Sequence, residues 1–489
     1  MKKHIFLATG VIAALAFSGC RKDFEEINTN PNQPTDVSPG FLLTSAQKSI
    51  MDETYDAFWG SRGHMQLAQF WASNQYSNES RYEFRNETTN GTWRDLYAGP
   101  LQDLQQIIDL NTDRPDDMAG YGANVNQIAV AKILQAWVYQ HLTDSFGAIP
   151  MSQALQGGDD TTPAYDTQEE VYTQLLALVN DALGSMDVSA AGPQGDQIFG
   201  GNMDGWQKFG NSLKLRIAMR MADANPSAAQ AAVAEVNASG AFIAANADNA
   251  LFAYLGGAPN NNPINEDAKT RNDFAASNVM VDYLAAHEDP RMAAFYAPAA
   301  ASGAYVGEVY GLSEANAALT PDADVSQRSE AVLAADLPGI YFDAAQTHFL
   351  FAEAAERGWA APLSAAGHYE EAIRLSMAFW GVDAAAADTY LARTDVAYTT
   401  AEGTWKEKIG AQKWIALYMQ GAEAWAEYRR LDFGILQLPF DGVLSGSGIP
   451  SRLRYPLDEQ TLNAGEYANG VAANGGADAL DTKLWWDVN

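Results

Sequence analysis

Cysteine is almost absent from this chain: 489 residues contain one, Cys20. No disulfide can form within the molecule, and no paired-thiol metal or redox centre is available. Basic charge is also scarce, with 30 Lys and Arg against 61 Asp and Glu and a net charge of -31. Such a surface repels phosphate backbones, which excludes nucleic acid as a partner, and it is no better suited to an anionic membrane surface. Histidines number six, and none shows metal-ligand spacing, so neither a metal nor a cofactor is expected. No later segment approaches the roughly 20 apolar residues that a membrane-spanning helix needs.

The usual signatures of catalysis are missing too. There is no phosphate-binding glycine loop, nucleophile elbow or dinucleotide fingerprint. His287-Glu288-Asp289-Pro290-Arg291 begins like a zinc-protease helix but ends in Arg with Pro290 inside it. Asp322, Asp324 and Ser326 have calcium-loop spacing, but Gln327 replaces the required glycine and no coordinating Glu follows. Glu353 and Glu356, beside Arg357, read as a helix face with local ion pairing. No catalytic residue is assigned.

What is present begins with an address. Lys2 and Lys3 precede a short apolar run, and Phe17-Ser18-Gly19-Cys20 closes it with small residues before the cysteine. This reads as a signal peptide over 1–19 ending in a lipobox, with Cys20 acylated after cleavage. Each buried acyl CH2 contributes about 0.8 kcal/mol, so a multiply acylated cysteine is a durable anchor. Residues 20–39 are polar and punctuated by Pro31 and Pro34, a tether leading into a body over 40–489. No linker divides that body, and at 47% hydrophobic and 19% charged residues it has ample material for one core.

Helical periodicity dominates the body. Val171, Leu175, Leu178, Val179 and Ala182 recur at three- and four-residue steps behind a capping pair, Thr167 and Glu170. Asn225-Pro226 predicts a second helix start. Trp206, Phe209, Gly210 and Leu213 match the opening of a tetratricopeptide helix, and Ala366, Tyr369, Ala372 and Ile373 show a similar alternation of small and large residues. Long Gly-, Asn-, Asp- and Pro-rich loops are expected at 186–204, 255–273, 299–338 and 440–482, and ordered loops of that length usually carry function. The fold expected is mainly α.

Aromatic residues make up 11% of the chain. Trp206, Trp414 and Trp425 fall on apolar helix faces and are expected in the core. Trp71, Asn74, Tyr76, Arg81 and Tyr82 instead mix rings with polar groups, as do Asn261, Arg271 and Phe274 further on. A ring that receives the C–H face of a sugar, beside amide and guanidinium groups that bond its hydroxyls, is a common recipe for glycan binding. These eight residues are the expected ligand contacts.

Spread along the chain are blocks that resemble one family in their order: Asp23-Phe24-Glu25-Glu26-Ile27-Asn28, YQHLTDSFGAIP at 139–150, WQKFGNSLKLRIAMR at 206–220 and Asp289-Pro290-Arg291. FAEAAERGW at 351–359, IGAQKWIALYMQGAEAWAEYRR at 409–430, IPSRLRYP at 449–456 and TKLWWD at 482–487 complete the set. On these the chain is identified as a member of the SusD/RagB family of nutrient-binding outer-membrane lipoproteins of Bacteroidetes, in its SusD-like branch. The resemblance implies one compact domain of tetratricopeptide-like helical hairpins with long irregular excursions. It implies a non-enzymatic lipoprotein that captures oligosaccharide and serves as the lid of a SusC-like TonB-dependent transporter. Asp23, Glu25 and Glu26 resemble the signal that sends such proteins to the cell exterior. A peptide-binding sibling with the same partner, a surface glycosidase and a helical scaffold without a small ligand are the alternatives.

Overall fold

Several helices in this chain start where side chains hold the free N–H groups of a first turn. Thr167 accepts from the Glu170 amide while Glu170 accepts from the Thr167 amide, so the expected reciprocal pair opens the helix at Gln168. Asn225 accepts from the Ala228 amide with Pro226 in the first turn, as expected. Thr404 and Glu407 form a second reciprocal pair.

The computed structural model describes residues 37–157 and 161–488. The expected signal peptide, Cys20 and nearly all of the tether lie outside the described residues. The helical frame comprises α1 (Pro39–Thr54), α2 (Gln102–Asp113), α3 (Asn124–Phe146), α4 (Gln168–Ser185), α5 (Met203–Arg220), α6 (Pro226–Ser239), α7 (Ala344–Glu356), α8 (Ala365–Phe379), α9 (Trp405–Ala416) and α10 (Gly421–Leu431). Each of α1 to α5 packs on its successor, α5 also carries α7, and α7, α8, α9 and α10 close the second half. Short connections such as 221–225 and 417–420 make antiparallel pairs, and the pairs nest in tetratricopeptide fashion. Trp206, Phe209, Leu213, Trp414 and Trp425 are fully buried where these helices meet, as their spacing predicts. No described helix is long and apolar enough to cross a membrane.

Buried ion pairs tie the frame together. Arg220 of α5 reaches Glu423 of α10 at 2.6 Å, Lys413 of α9 reaches Glu427 of α10 at 2.9 Å, and Arg430 reaches Glu353 of α7 at 2.5 Å. These residues belong to the sequence blocks that carry the family resemblance, so those blocks serve the scaffold. Glu353 also meets Arg357 at 2.9 Å, which is the local pairing expected of it. Glu427 is held well below the ordinary carboxylate range; burial opposes this, but Arg430, Lys413 and Arg220 outweigh it.

The chain leaves the frame in excursions, the longest between α6 and α7. Three antiparallel two-stranded ladders pin it: β1 (Trp71–Ser73) with β3 (Phe274–Ala276), β2 (Ala250–Phe252) with β6 (Gly339–Phe342), and β4 (Tyr296–Ala297) with β5 (Gln327–Arg328). Arg291 is the polar anchor, bonded twice to Asp289 at 2.9 and 2.6 Å and then to Ser376 of α8 and Gln412 of α9. The expected loop at 440–482 is less irregular than its composition suggests, since it holds the helices Leu457–Leu462 and Ala464–Ala473. The expected loop at 186–204 is pinned at Gly195, whose left-handed φ of 81° and close approach to Gly40 leave no room for a side chain.

Candidate functional site

The β1–β3 ladder joins parts of the chain about 200 residues apart, setting Ser73 opposite Phe274. Beyond it, the Asn74 amide donates to the Asp273 carbonyl at 2.8 Å, so the pairing continues outward to the surface. There the chain turns sharply: Gln69, Tyr76 and Tyr82 all have left-handed φ, at 56°, 53° and 68°. Such a conformation costs a non-glycine residue of order 1–3 kcal/mol and persists only where neighbours enforce it. Gln69 is held by reciprocal bonds with Gln437, its amide donating to the carbonyl at 2.6 Å and its oxygen accepting at 2.9 Å.

Tyr76 is held by arginines. The guanidinium carbons of Arg62, Arg271 and Arg85 lie 4.7, 5.0 and 5.3 Å from its ring centroid. Arg62 comes from a π-helical turn, Ala57–His64, and pairs with Asp273. Arg271 donates through Nε to the same carboxylate at 2.8 Å, and Arg85 meets Glu79 at 2.8 Å. Beside them, Asn74 and Asn272 donate to Asp322 at 3.2 and 2.8 Å. The result is a surface corner with one ring, guanidinium edges, amides and a carboxylate, all within a prebuilt network.

Of the eight expected contacts, Asn74, Tyr76 and Arg271 come together on this corner. The other five offer no free contact in this structure: four are buried, and Arg81 is bonded to backbone carbonyls. Trp71 and Phe274 have no exposure, their rings packing at 5.7 Å, and the Trp71 indole donates to the Tyr418 hydroxyl at 3.0 Å. Tyr82 is buried, and Asn261 is buried with its amide bonded to Asn265 and Glu266. Arg81 spends its guanidinium on the Gly442 and Asp441 carbonyls at 3.0 and 2.8 Å, clamping the C-terminal excursion. Sequence reasoning does not reach Arg62 and Arg85. The one signal was the closeness of Arg81 and Arg85 in a chain with few basic residues.

Two other hollows are less suited to a ligand. A cleft of about 620 Å³ is lined by Tyr283, His287, Asp395, Glu402, Lys408 and Phe433. Its rings and charges are already engaged: Tyr283 and His287 stack at 4.3 Å, Lys408 donates to the Tyr398 carbonyl at 3.0 Å, and Asp395 pairs with Arg393 at 2.9 Å. An interior chamber of about 40 Å³ is lined by His64, His141, Ser145, Arg216 and Glu423. That is room for water and not for a sugar ring. Burial, then Arg216, push His141 down to about 3, and burial with His141 and Arg429 holds His64 low, so both rings are neutral there. Among the described residues no three His, Cys, Asp or Glu side chains gather as metal ligands would.

Residues 31–456 match the model of a SusD-like family described as "Starch-binding associating with outer membrane". Solved structures share the fold. A chitin-binding protein is 25% identical with a TM-score of 0.82 over 92% of this chain and 100% of its own. A SusD homolog from Bacteroides uniformis is 25% identical with a TM-score of 0.77 over 93% and 100%. A chitin-binding SusD homolog from Flavobacterium johnsoniae is 24% identical with a TM-score of 0.79 over 92% and 98%. No curated protein matches the chain.

Proposed function

Because the chain belongs to the SusD-like family, whose members associate with the outer membrane and bind starch, we propose that it is a non-catalytic lipoprotein that captures oligosaccharide at the Tyr76 corner. Cys20 would carry the lipid, the tether would free the body from the membrane, and the cell exterior is the side on which it would work. The captured chain would pass to a SusC-like TonB-dependent transporter, over which this protein would act as a lid.

The observation that carries the reading is the Tyr76 ring, 40% exposed and fixed among Arg62, Arg85 and Arg271, with Asn74, Asn272 and Asp322 on the same rim. A sugar sets a C–H face against the open part of such a ring while its hydroxyls exchange hydrogen bonds with amide, guanidinium and carboxylate groups. Because the network is already built, little ordering entropy is lost when the ligand arrives. Tyr76 and Arg271 are each 40% exposed, and that partial openness suits hand-over, since a carrier must also release.

The full chain in detergent, titrated calorimetrically with neutral and acidic oligosaccharides, tests this. Heat with a sugar of several units, lost in Tyr76→Ala, supports capture. Heat with oligopeptides only, or steady release of shorter sugars, overturns it.

A further inference from the structure

The charge at the Tyr76 corner runs against that of the rest of the molecule. Acidic side chains outnumber basic ones two to one in this chain, yet three guanidinium groups surround a single exposed ring. Their carboxylate partners are placed beneath them. Arg271 is 40% exposed and its partner Asp273 is 3% exposed; Arg85 is 34% exposed and Glu79 is 1% exposed. The buried acids fix Arg271 and Arg85, and these two arginines face water.

The arrangement continues inward. Arg62 lies 5.5 Å from the Phe274 ring as well as against Tyr76, and Arg328 lies 5.6 Å from Phe274 and 5.2 Å from Trp71. Arg62 is 4% exposed, and two of its nitrogens, Nε and Nη1, have no hydrogen-bond partner among the described residues. A buried guanidinium left partly unpartnered is costly, and it adds positive potential directly under the ring. The carboxylates that surround the group include Asp267, which is partly buried near Arg328, Arg271 and Arg62, and Asp322, which is already bonded by Asn74 and Asn272.

A neutral sugar needs none of this. Bare rings and amides suffice for it, whereas fixed guanidinium forks are matched to carboxylate or sulfate oxygens. We propose that this corner selects oligosaccharides bearing anionic groups, uronate carboxylates or sulfate esters, with Arg271 and Arg85 as the residues that bind the anion beside Tyr76. The inference rests on the capture reading above and narrows it to a substrate class. The acidic balance of the chain as a whole disfavours loose association of a polyanion, which sharpens the dependence on the two exposed arginines.

The test uses the full chain in detergent and four probes: a tetrameric galacturonate, its full methyl ester, a sulfated galactan tetrasaccharide and N-acetylchitotetraose. Expected is binding of the galacturonate or the sulfated probe at least about tenfold tighter than the ester and the chitin oligomer, weakening as salt rises. Which of the two anionic probes binds identifies the anion. Arg271→Gln and Arg85→Gln should each lower that affinity about tenfold and flatten its dependence on salt, a larger loss than either causes for the neutral probes. Galacturonate binding no tighter than its ester together with sulfated galactan binding no tighter than the neutral probes, or binding of neutral probes alone, overturns the inference and leaves glycan capture standing. Silence toward all four overturns both. The ester comparison needs no variant, so misfolding of an arginine mutant does not obscure the result.

Discussion

Arg430 grips Glu353 through two parallel hydrogen bonds, Nη1 to Oε1 and Nη2 to Oε2, each 2.5 Å long, and both side chains are sealed from water. The pair joins α10 to α7 and therefore the last helical hairpin to the middle of the frame. Without Glu353, Arg430 keeps Glu427 at 2.6 Å but loses both parallel bonds, so a buried charge is left short of compensation. Glu353→Ala should cost about 3–5 kcal/mol of stability, read as a lower urea midpoint. Arg430→Met combined with Glu353→Leu should recover much of that loss. A single mutant that unfolds at the wild-type midpoint would show that the pair contributes nothing.

Trp71 and Tyr76 stand five residues apart in one polar and aromatic stretch, and opposite outcomes are expected for them. Trp71→Ala empties a fully buried site and should cost about 3–5 kcal/mol. Tyr76→Ala removes an exposed ring and should cost less than about 1 kcal/mol while abolishing sugar binding. Thermal melts set beside calorimetric titrations separate the two roles.

Glu53 lies in α1 near Asp56, Asp95 and Asp52, and burial, followed by repulsion from those acids, pushes its carboxyl up to about 7 from an ordinary 4.5. The folded protein therefore holds this proton more tightly than the unfolded chain. Wild-type stability falls as pH rises from 4.5 through 7, and Glu53→Gln escapes that fall. The variant should be more stable at pH 8 by on the order of 1–3 kcal/mol, with the gap closing near pH 5. Urea curves at the two pH values check the sign, and a gap that does not change with pH would refute it.

Gly195 has a φ of 81°, and a Cβ there would lie 2.0 Å from the carbonyl oxygen of Gly40 at the start of α1. Gly195→Ala should therefore destabilise by at least about 1–2 kcal/mol, through both the strained backbone and the clash. Gly200→Ala, with a φ of 62° but open space around it, should cost less. Comparing their melting temperatures isolates the clash.

The frame is readable from sequence because its determinants are local. Thr167 with Glu170, Asn225 with Pro226, and the spacing of Trp206, Phe209 and Leu213 each lie within one or two helical turns. The Tyr76 corner is different. Whether Trp71 or Tyr76 faces water is decided by strand pairing with Phe274–Ala276, and no local pattern reports a partner that distant. Arg62 and Arg85 gain their meaning only from Tyr76, Asp273 and Glu79 around them. The helices at Leu457–Leu462 and Ala464–Ala473 are hidden in a stretch whose glycine and asparagine content reads as loop.

The distance in sequence between β1 and β3 also sets an order of assembly. Helical hairpins such as α5 with α6 close short loops and pay little chain entropy, whereas pairing Trp71 with Ala276 must close a loop of about 200 residues. A newly made chain that has formed only its hairpins has no Arg271 beside Tyr76 and lacks the corner proposed to capture a ligand. Capture at that corner would thus report on completion of folding, because it requires that the distant segments already be in register.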